Sequence, residues 1–262
     1  YDSDGYSTTL NQGHRFGVRL DHKFSDKTSI LFEPQFNFGY GNYDEYSKTE
    51  TQTELGEVRE TTNKGFTSTS GGNKNWTASG FLLFRQKIGD KPGRTLSANV
   101  RYSISNNDLS GFNQSLTEVW NGSDWTQSVT NQRFDSNSQS YSVNARTSYT
   151  EPLTDKLFLE LSYGYSWRRN NQTKDTYDSF TNAFSTDEDG NNRLIYDGSN
   201  ETAMRNDIYS RNIENSSQNH RAGATLQYQN KKFRAQIGGQ YMPTSTDNVT
   251  QGRDPYHSIK HN

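Results

Sequence analysis

The residue types best able to do chemistry in this chain are histidine, clustered carboxylates and arginine. His14 and His22 stand eight positions apart in one segment, too far apart to share a metal ion on an extended strand. The sequence contains neither HExxH nor GxSxG, and no glycine-rich phosphate loop follows a strand pattern. With no cysteine, thiolate metal sites and disulfides are excluded. We therefore expect a protein that is not an enzyme and has no metal or cofactor.

One acidic segment, Asp187–Asn192, places oxygen ligands around a glycine in the manner of a calcium-binding loop. Its twelfth position is Gly198, where such loops carry a bidentate glutamate. A solvated acidic loop is the favoured interpretation. The sequence leaves open whether Asp187–Asp189 binds calcium.

Several aromatic residues lie in long polar segments among Asn, Ser and Asp. Their rings offer apolar faces beside hydrogen-bonding groups, which suits contact with sugars or peptide side chains. Packing of the loops on themselves explains them equally well, and the sequence does not name a ligand. The candidate ligand-contacting residues are Trp120, Trp125, Tyr177 and Tyr196.

A second candidate group is basic and alternates with apolar residues along short segments. If these segments line the water-filled lumen of a barrel, water would solvate the charges. If a segment with carboxylates lies opposite them, the planar guanidinium groups would pair with those carboxylates. The candidate lumen-facing residues are Arg15, Arg19, Arg85, Arg101, Arg146, Arg221 and Arg234.

The elements that would position these residues are eight segments in which apolar and polar residues alternate. Period two puts one face of a strand in hydrocarbon and the other in water, and about nine to eleven residues suffice to cross a bilayer. Pro34 predicts a local irregularity, and Phe81 and Leu83 interrupt the polar face. The predicted strands are about 14–24, 29–40, 76–88, 94–104, 140–150, 157–167, 220–228 and 233–241.

The connections between these strands are strongly unequal. Tight turns at 25–27, 89–93, 151–155 and 229–232 alternate with long polar excursions, which are predicted as loops. Short turns on one side and long loops on the other are typical of outer-membrane barrels. The excursions are 41–75, 105–139 and 168–219.

Composition agrees with a barrel better than with a soluble domain or a disordered chain. The 262 residues are only 28% hydrophobic, with a mean hydropathy of -1.11, yet 13% are aromatic. Disordered segments are poor in aromatics, whereas a barrel exposes loops and half of each strand to water. The net charge of -2 gives no bulk attraction to nucleic acid.

Four stretches carry a family resemblance: Gly80–Ile88, Gly93–Ser97, Ser148–Leu153 and Leu159–Tyr163. They resemble the outer-membrane β-barrel family of Bacteroidetes, the barrel part of TonB-dependent receptor-like proteins. The resemblance is strongest over residues 76–167. It implies a 22-stranded barrel in the bacterial cell outer membrane, filled by an N-terminal plug and importing a bulky nutrient with energy from TonB.

We therefore expect an all-β fold, a transmembrane antiparallel up-and-down β-barrel. Residues 1–262 would form a single segment with about eight strands of the larger barrel and no plug, although eight strands could also close a small barrel. Expected partners are the lipid bilayer and lipopolysaccharide, a plug and TonB through other parts of the protein, and a surface lipoprotein. The basic residues, Arg101 and Arg146 foremost, would contact plug carboxylates. The alternative function is a surface-exposed adhesion β-protein that binds glycans or peptides.

Overall fold

The computed structural model describes residues 1–55, 58–188, 190–251 and 259–261, and almost all of them lie in β-strands. No helix long and apolar enough to cross a membrane occurs in this described part. The strands are β1 (Asp2–Gly17), β2 (Leu20–Lys23), β3 (Thr28–Leu55), β4 (Val58–Lys87), β5 (Thr95–Trp120), β6 (Trp125–Pro152), β7 (Leu157–Asp178), β8 (Phe184–Thr186), β9 (Asn192–Leu194), β10 (Arg211–Gln229), β11 (Arg234–Tyr241), β12 (Thr244–Gln251) and β13 (Ile259–His261).

The strands form one antiparallel up-and-down sheet, as predicted. The order is β1-β3-β4-β5-β6-β7-β10-β12-β13; β2 continues β1 along β3, and β11 precedes β12 along β10. Strands β8 and β9 form a separate hairpin. In the described residues the first and last strands do not pair with each other, so the sheet is open. The small closed barrel of eight strands is therefore not the arrangement found.

The prediction of long loops is wrong for the first two excursions and for the ends of the third. Strands β3 to β6 are 28, 30, 26 and 28 residues long, so residues 41–75 and 105–139 lie mostly in two long hairpins. These segments are rich in Ser, Thr and Asn. Their backbones pair as well as those of apolar strands, but no apolar alternation marks them. Strand β13, which comes ninth in the order across the sheet, was not predicted either, and it is only three residues long.

The register aligns the apolar faces of all the long strands on one side of the sheet. Directly paired residues share a face, so each row of partners tests the assignment. One row runs Leu20, Phe32, Leu82, Val100, Ala145 and Tyr165. Another runs Phe16, Phe36, Ala78, Ile104 and Tyr141. We call this side the apolar face and the opposite side the inward face.

The apolar rows of this face are exposed, and no other element of the described chain covers them. Phe16, Leu20 and Ile237 retain 62%, 56% and 76% of their accessible surface. Among the described residues only Tyr46, Phe66 and Leu194 are buried apolar side chains, and all three lie towards the long hairpins. A soluble protein rarely exposes so large an apolar patch, whereas a membrane barrel requires one.

Two predicted irregularities have structural counterparts. Val18 donates its backbone N–H to the Pro34 carbonyl over 3.1 Å, but Pro34 has no N–H to return, and the regular strand is interrupted between β1 and β2 at this point. Phe81 pairs with Glu33 and Arg101, which places its ring on the inward face as the sequence predicted.

Glu151 ties the tight turns together at the end of the sheet opposite the long hairpins. Arg94 donates two hydrogen bonds to its carboxylate, both 2.8 Å, and Lys91 lies 3.1 Å away. The Arg94 hydrogen bonds, with further ones from Tyr149 and Lys91, lower the pKa of Glu151 to about 2. A neighbouring tie joins Lys27 to Asp90 over 2.8 Å.

An arginine introduced on the apolar face should destabilise the folded protein in a bilayer. Val100→Arg in the full-length protein is expected to cost about 2–4 kcal/mol, because a cation near mid-bilayer loses its hydration. Ser103→Arg, on the inward face of the same strand, is the matched control and should have a much smaller effect. Unfolding titrations in phospholipid vesicles measure both. Equal destabilisation by the two variants would show that the faces are assigned wrongly.

The Glu151 cluster should make stability depend on pH at the acidic end. A carboxylate whose folded pKa is depressed stabilises the fold above its unfolded pKa, about 4.3, and loses that contribution as pH falls towards about 2. Glu151→Gln should therefore lower the unfolding midpoint at pH 7, and this effect should shrink as the pH falls through about 2. Asp155→Asn in the same turn, a residue with no side-chain hydrogen bond in the structure, is the control. A Glu151→Gln effect that persists undiminished at pH 2 would contradict this assignment.

Candidate functional site on the inward face and the long hairpins

The inward face carries all seven arginines predicted to face a lumen. Arg15 pairs with Asn37, Arg85 with Ser97, and Arg101 with Asn144, all in rows between those of the apolar face. Arg146 and Arg221 both pair with Gly164 on β7. Alternation along the paired strands therefore brings these residues to one side of the sheet.

One concavity on the inward face has a volume of about 670 Å³. Arg19 lies in it and forms an ion pair with Glu33, with Asp21 at 4.0 Å. The Arg101 guanidinium lies 4.6 Å from the centre of the Phe81 ring, within the range of a cation–π contact. Phe81 thus breaks the polar pattern but supplies a surface on which an arginine packs.

A second, smaller pocket of about 320 Å³ brings three arginines together, and we call it the arginine pocket. Arg101, Arg146 and Arg221 come from β5, β6 and β10, and Gly164 of β7 lies between the last two. The remaining lining residues are mostly neutral and polar. They are Asn99, Asn144, Ala145, Tyr165, Ser166 and Asn219.

The inward arginines differ in their partners. Arg19 has Glu33, and Arg146 has Glu160 at 3.3 Å. Arg15 donates to Asn37 over 3.0 Å and Arg234 to Gln229 over 3.1 Å. Arg221 donates to the sulfur of Met242 over 3.2 Å, a weak acceptor. Among the described residues, Arg15, Arg85, Arg101, Arg221 and Arg234 have no ion-pair partner.

The third predicted loop contains a folded segment, residues 179–210, which we call the cap. Its Leu194 is buried against Tyr46 and Phe66 of the first long hairpin. Two buried strand side chains hold its backbone: Gln114 donates to the Leu194 carbonyl over 2.6 Å, and Asn131 to the Ile195 carbonyl over 2.9 Å. The cap is therefore fixed across β3 to β6.

Two charged clusters fasten the cap further. Arg193 lies 3.2 Å from Asp44 of β3 and 3.2 Å from Asp187 within the cap. Its hydrogen bonds to Asp44 and Asp187 raise the pKa of the Arg193 guanidinium, although its burial acts in the opposite direction. Glu201 binds Arg133 of β6 at 2.5 Å, and this contact lowers the pKa of Glu201.

The four candidate ligand aromatics fall into two places. Trp120 and Trp125 form a pair at the tip of the second long hairpin, with ring centroids 5.7 Å apart. Tyr177 lies 5.1 Å from the Arg133 guanidinium, and Tyr196 lies 5.4 Å from the Phe112 ring. Burial and a hydrogen bond to Glu201 raise the pKa of Tyr196 to about 12. All four rings contact the protein's own side chains, and their ligand role stays a prediction.

Sequence reasoning missed the residues that hold the cap. Asp44, Gln114, Arg133 and Arg193 lie in segments taken for loops, where polar residues are common and carry no distinguishing pattern. Only the registration of β3 to β6 reveals that they share a side of the sheet.

The structure describes part of the acidic segment Asp187–Asn192 that was considered as a calcium-binding loop. Asp187 accepts a backbone hydrogen bond from Asn191 over 2.8 Å and pairs with Arg193, while Asp189 lies outside the described residues. In the described part of the chain no three His, Asp or Glu side chains come together in a way that could hold a metal ion.

Loss of a buried amide should loosen the cap without affecting the membrane strands. Gln114→Leu leaves the Leu194 carbonyl without its buried donor, which costs about 1–3 kcal/mol. Hydrogen exchange at residues 190–196 should accelerate by about tenfold for each 1.4 kcal/mol lost. Gln127→Leu, which removes an exposed contact at the hairpin tip, is the control. Unchanged exchange in the Gln114 variant would show that the cap does not depend on this bond.

Comparison with known families agrees with the exposed apolar face and the up-and-down sheet. Residues 86–203 match the model of a family described as the outer membrane protein beta-barrel family, a stretch that runs from the end of β4 through β7 and includes most of the cap. No curated protein matches the chain. The chain is a protein of the bacterial outer membrane, similar over residues 86–203 to the outer membrane protein beta-barrel family.

Proposed function

We propose that this chain is part of the wall of a TonB-dependent receptor-like importer that takes up a bulky nutrient. The observation that carries the proposal is the open sheet, apolar on one face and polar and basic on the other. Such a sheet divides lipid from a water-filled interior. The resemblance to TonB-dependent receptor-like proteins supplies the class of transport and the expected 22 strands.

The open edges support a barrel larger than this segment. On its side away from β3, β1 makes no pairing within the described sheet, and every residue of β1 is exposed. Unpaired backbone groups in hydrocarbon each cost several kcal/mol, so spanning sheets close. Further strands of the full-length protein would pair with this edge and with the opposite one. A barrel of about 22 strands has a lumen wide enough to need a plug.

The partners of the importer follow from its two faces. The apolar face would contact the bilayer and lipopolysaccharide, and the inward arginines would face a plug connected to TonB. The long hairpins would lie outside the cell. There Ile208 and Tyr209 leave 63% and 57% of their surface exposed, a surface that a lipoprotein partner could cover.

The second candidate is a surface protein that binds glycans or peptides. The Trp120–Trp125 pair at the hairpin tip favours it, because Trp125 is 40% exposed and Lys64 lies 4.8 Å from its ring. Aromatic rings beside polar groups suit sugar contact.

Uptake by cells separates the two candidates. Cells with the full-length gene should accumulate one or more members of a panel of fluorescent oligosaccharides and oligopeptides, and deletion of tonB or collapse of the proton gradient should abolish that accumulation. Accumulation that does not depend on TonB or on this gene would contradict the importer. If Trp120→Ala with Trp125→Ala abolishes cell-surface glycan binding and nothing is imported, the adhesion protein is the better description.

A further inference from the structure

We propose that the arginine pocket is a binding site for an anionic oxygen group, a carboxylate or a phosphate. The inference rests on the proposed function in one respect only: the importer places the inward face in a water-filled lumen that such a group can reach. The site itself is defined by Arg101, Arg146 and Arg221.

The pairing of the strands places these three side chains around one pocket. Arg146 and Arg221 lie in the same row, on either side of Gly164. Because glycine has no side chain, nothing on β7 separates them; a Cβ at Gly164 would lie 3.8 Å from the Cβ of Arg221. Arg146 pairs with Asn99, two residues before Arg101, so Arg101 is its diagonal neighbour on the same face.

The pocket carries more positive charge than its surroundings neutralise. No carboxylate from the described part of the chain lines it. Glu160, outside the lining, approaches Arg146 at 3.3 Å and also accepts a hydrogen bond from Gln227 over 3.1 Å. Arg101 has a ring and Arg221 a thioether sulfur as neighbours. Three guanidinium groups are therefore balanced by one carboxylate at most, and an added anion would relieve their mutual repulsion.

The lining side chains supply hydrogen-bond donors that suit an oxyanion. Guanidinium groups bind carboxylate and phosphate oxygens with paired, charge-assisted hydrogen bonds, and they cannot lose their protons. Asn99, Asn144 and Asn219 add neutral amides to the lining. A volume of about 320 Å³ accommodates one such group with some water, and is small for a whole bulky nutrient. Arg85 and Arg234 lie on the same face but do not line this pocket.

The anionic group has two possible sources in the importer. One is a carboxylate or phosphate on a solute in the lumen. The other is an Asp or Glu side chain of the full-length protein that lies inside the barrel. The chemistry of the site is the same for both, and the two arms of the experiment distinguish them.

The first arm is a calorimetric titration of the purified full-length protein with inorganic phosphate at low ionic strength. A site open to solutes should bind phosphate saturably, and Arg221→Gln should weaken that binding tenfold or more. Lys87→Gln is the matched control, since it removes one positive charge from the inward face outside the pocket. Binding that Arg221→Gln leaves unchanged would overturn the proposal.

The second arm applies if an Asp or Glu side chain of the full-length protein already occupies the pocket. The unmodified protein then binds no phosphate. Arg101→Gln with Arg146→Gln should then leave barrel assembly intact, because lumen positions carry no lipid penalty. The same variant should admit a large antibiotic and raise the sensitivity of cells to it, whereas Lys87→Gln should not.

A protein that binds no phosphate and shows no change in antibiotic entry would overturn the proposal, leaving the arginines as solvated wall. Phosphate binding and nutrient uptake are read separately. Saturable, Arg221-dependent binding without TonB-dependent uptake would remove the proposed function and leave the anion site standing.

Discussion

The structure depends on one constraint: each strand pairs with its neighbours in antiparallel register across nearly its whole length. Pairing satisfies the backbone hydrogen-bonding groups that hydrocarbon cannot solvate, and it fixes which side chains share a face. Between β3 and β4 the register shifts once, near Thr51, beyond the apolar rows. Both the lipid-compatible face and the basic inward face follow from this continuity.

The same antiparallel pairing continues beyond the bilayer, where the side chains on the paired strands have a different role. In the apolar rows it presents Phe32, Leu82 and Val100 to lipid. Along the long hairpins it presents Asp44, Gln114 and Arg133, which bind the cap. The buried cluster of the described chain, Tyr46 and Phe66 with Leu194, forms only where the cap covers the sheet. The surroundings of each stretch thus determine its role: lipid covers the apolar rows, and the cap covers part of the long hairpins.

Sequence reasoning identified the strands wherever one face is apolar, because period two is visible only when the two faces meet different solvents. It placed Val100 and Arg101 on opposite faces, whereas the lumen-facing role of the arginines stays a prediction. It could not find the polar halves of β3 to β6, because no continuous alternation of apolar and polar residues marks them. Nor could it see that Arg146 and Arg221 lie on either side of Gly164 and line one pocket, because that arrangement depends on the register of three strands. The cap contacts have the same origin, since Gln114 and Leu194 are 80 residues apart.

The central claim, that alternate residues of one strand meet lipid and water, is tested most directly by spin labels on β5. The chain has no cysteine, so single cysteines at positions 98 to 103 can be labelled without a background signal. In phospholipid, labels at 98, 100 and 102 should be relaxed by oxygen dissolved in the bilayer, and labels at 99, 101 and 103 by a water-soluble nickel chelate. Accessibilities that do not alternate with a period of two would contradict the account.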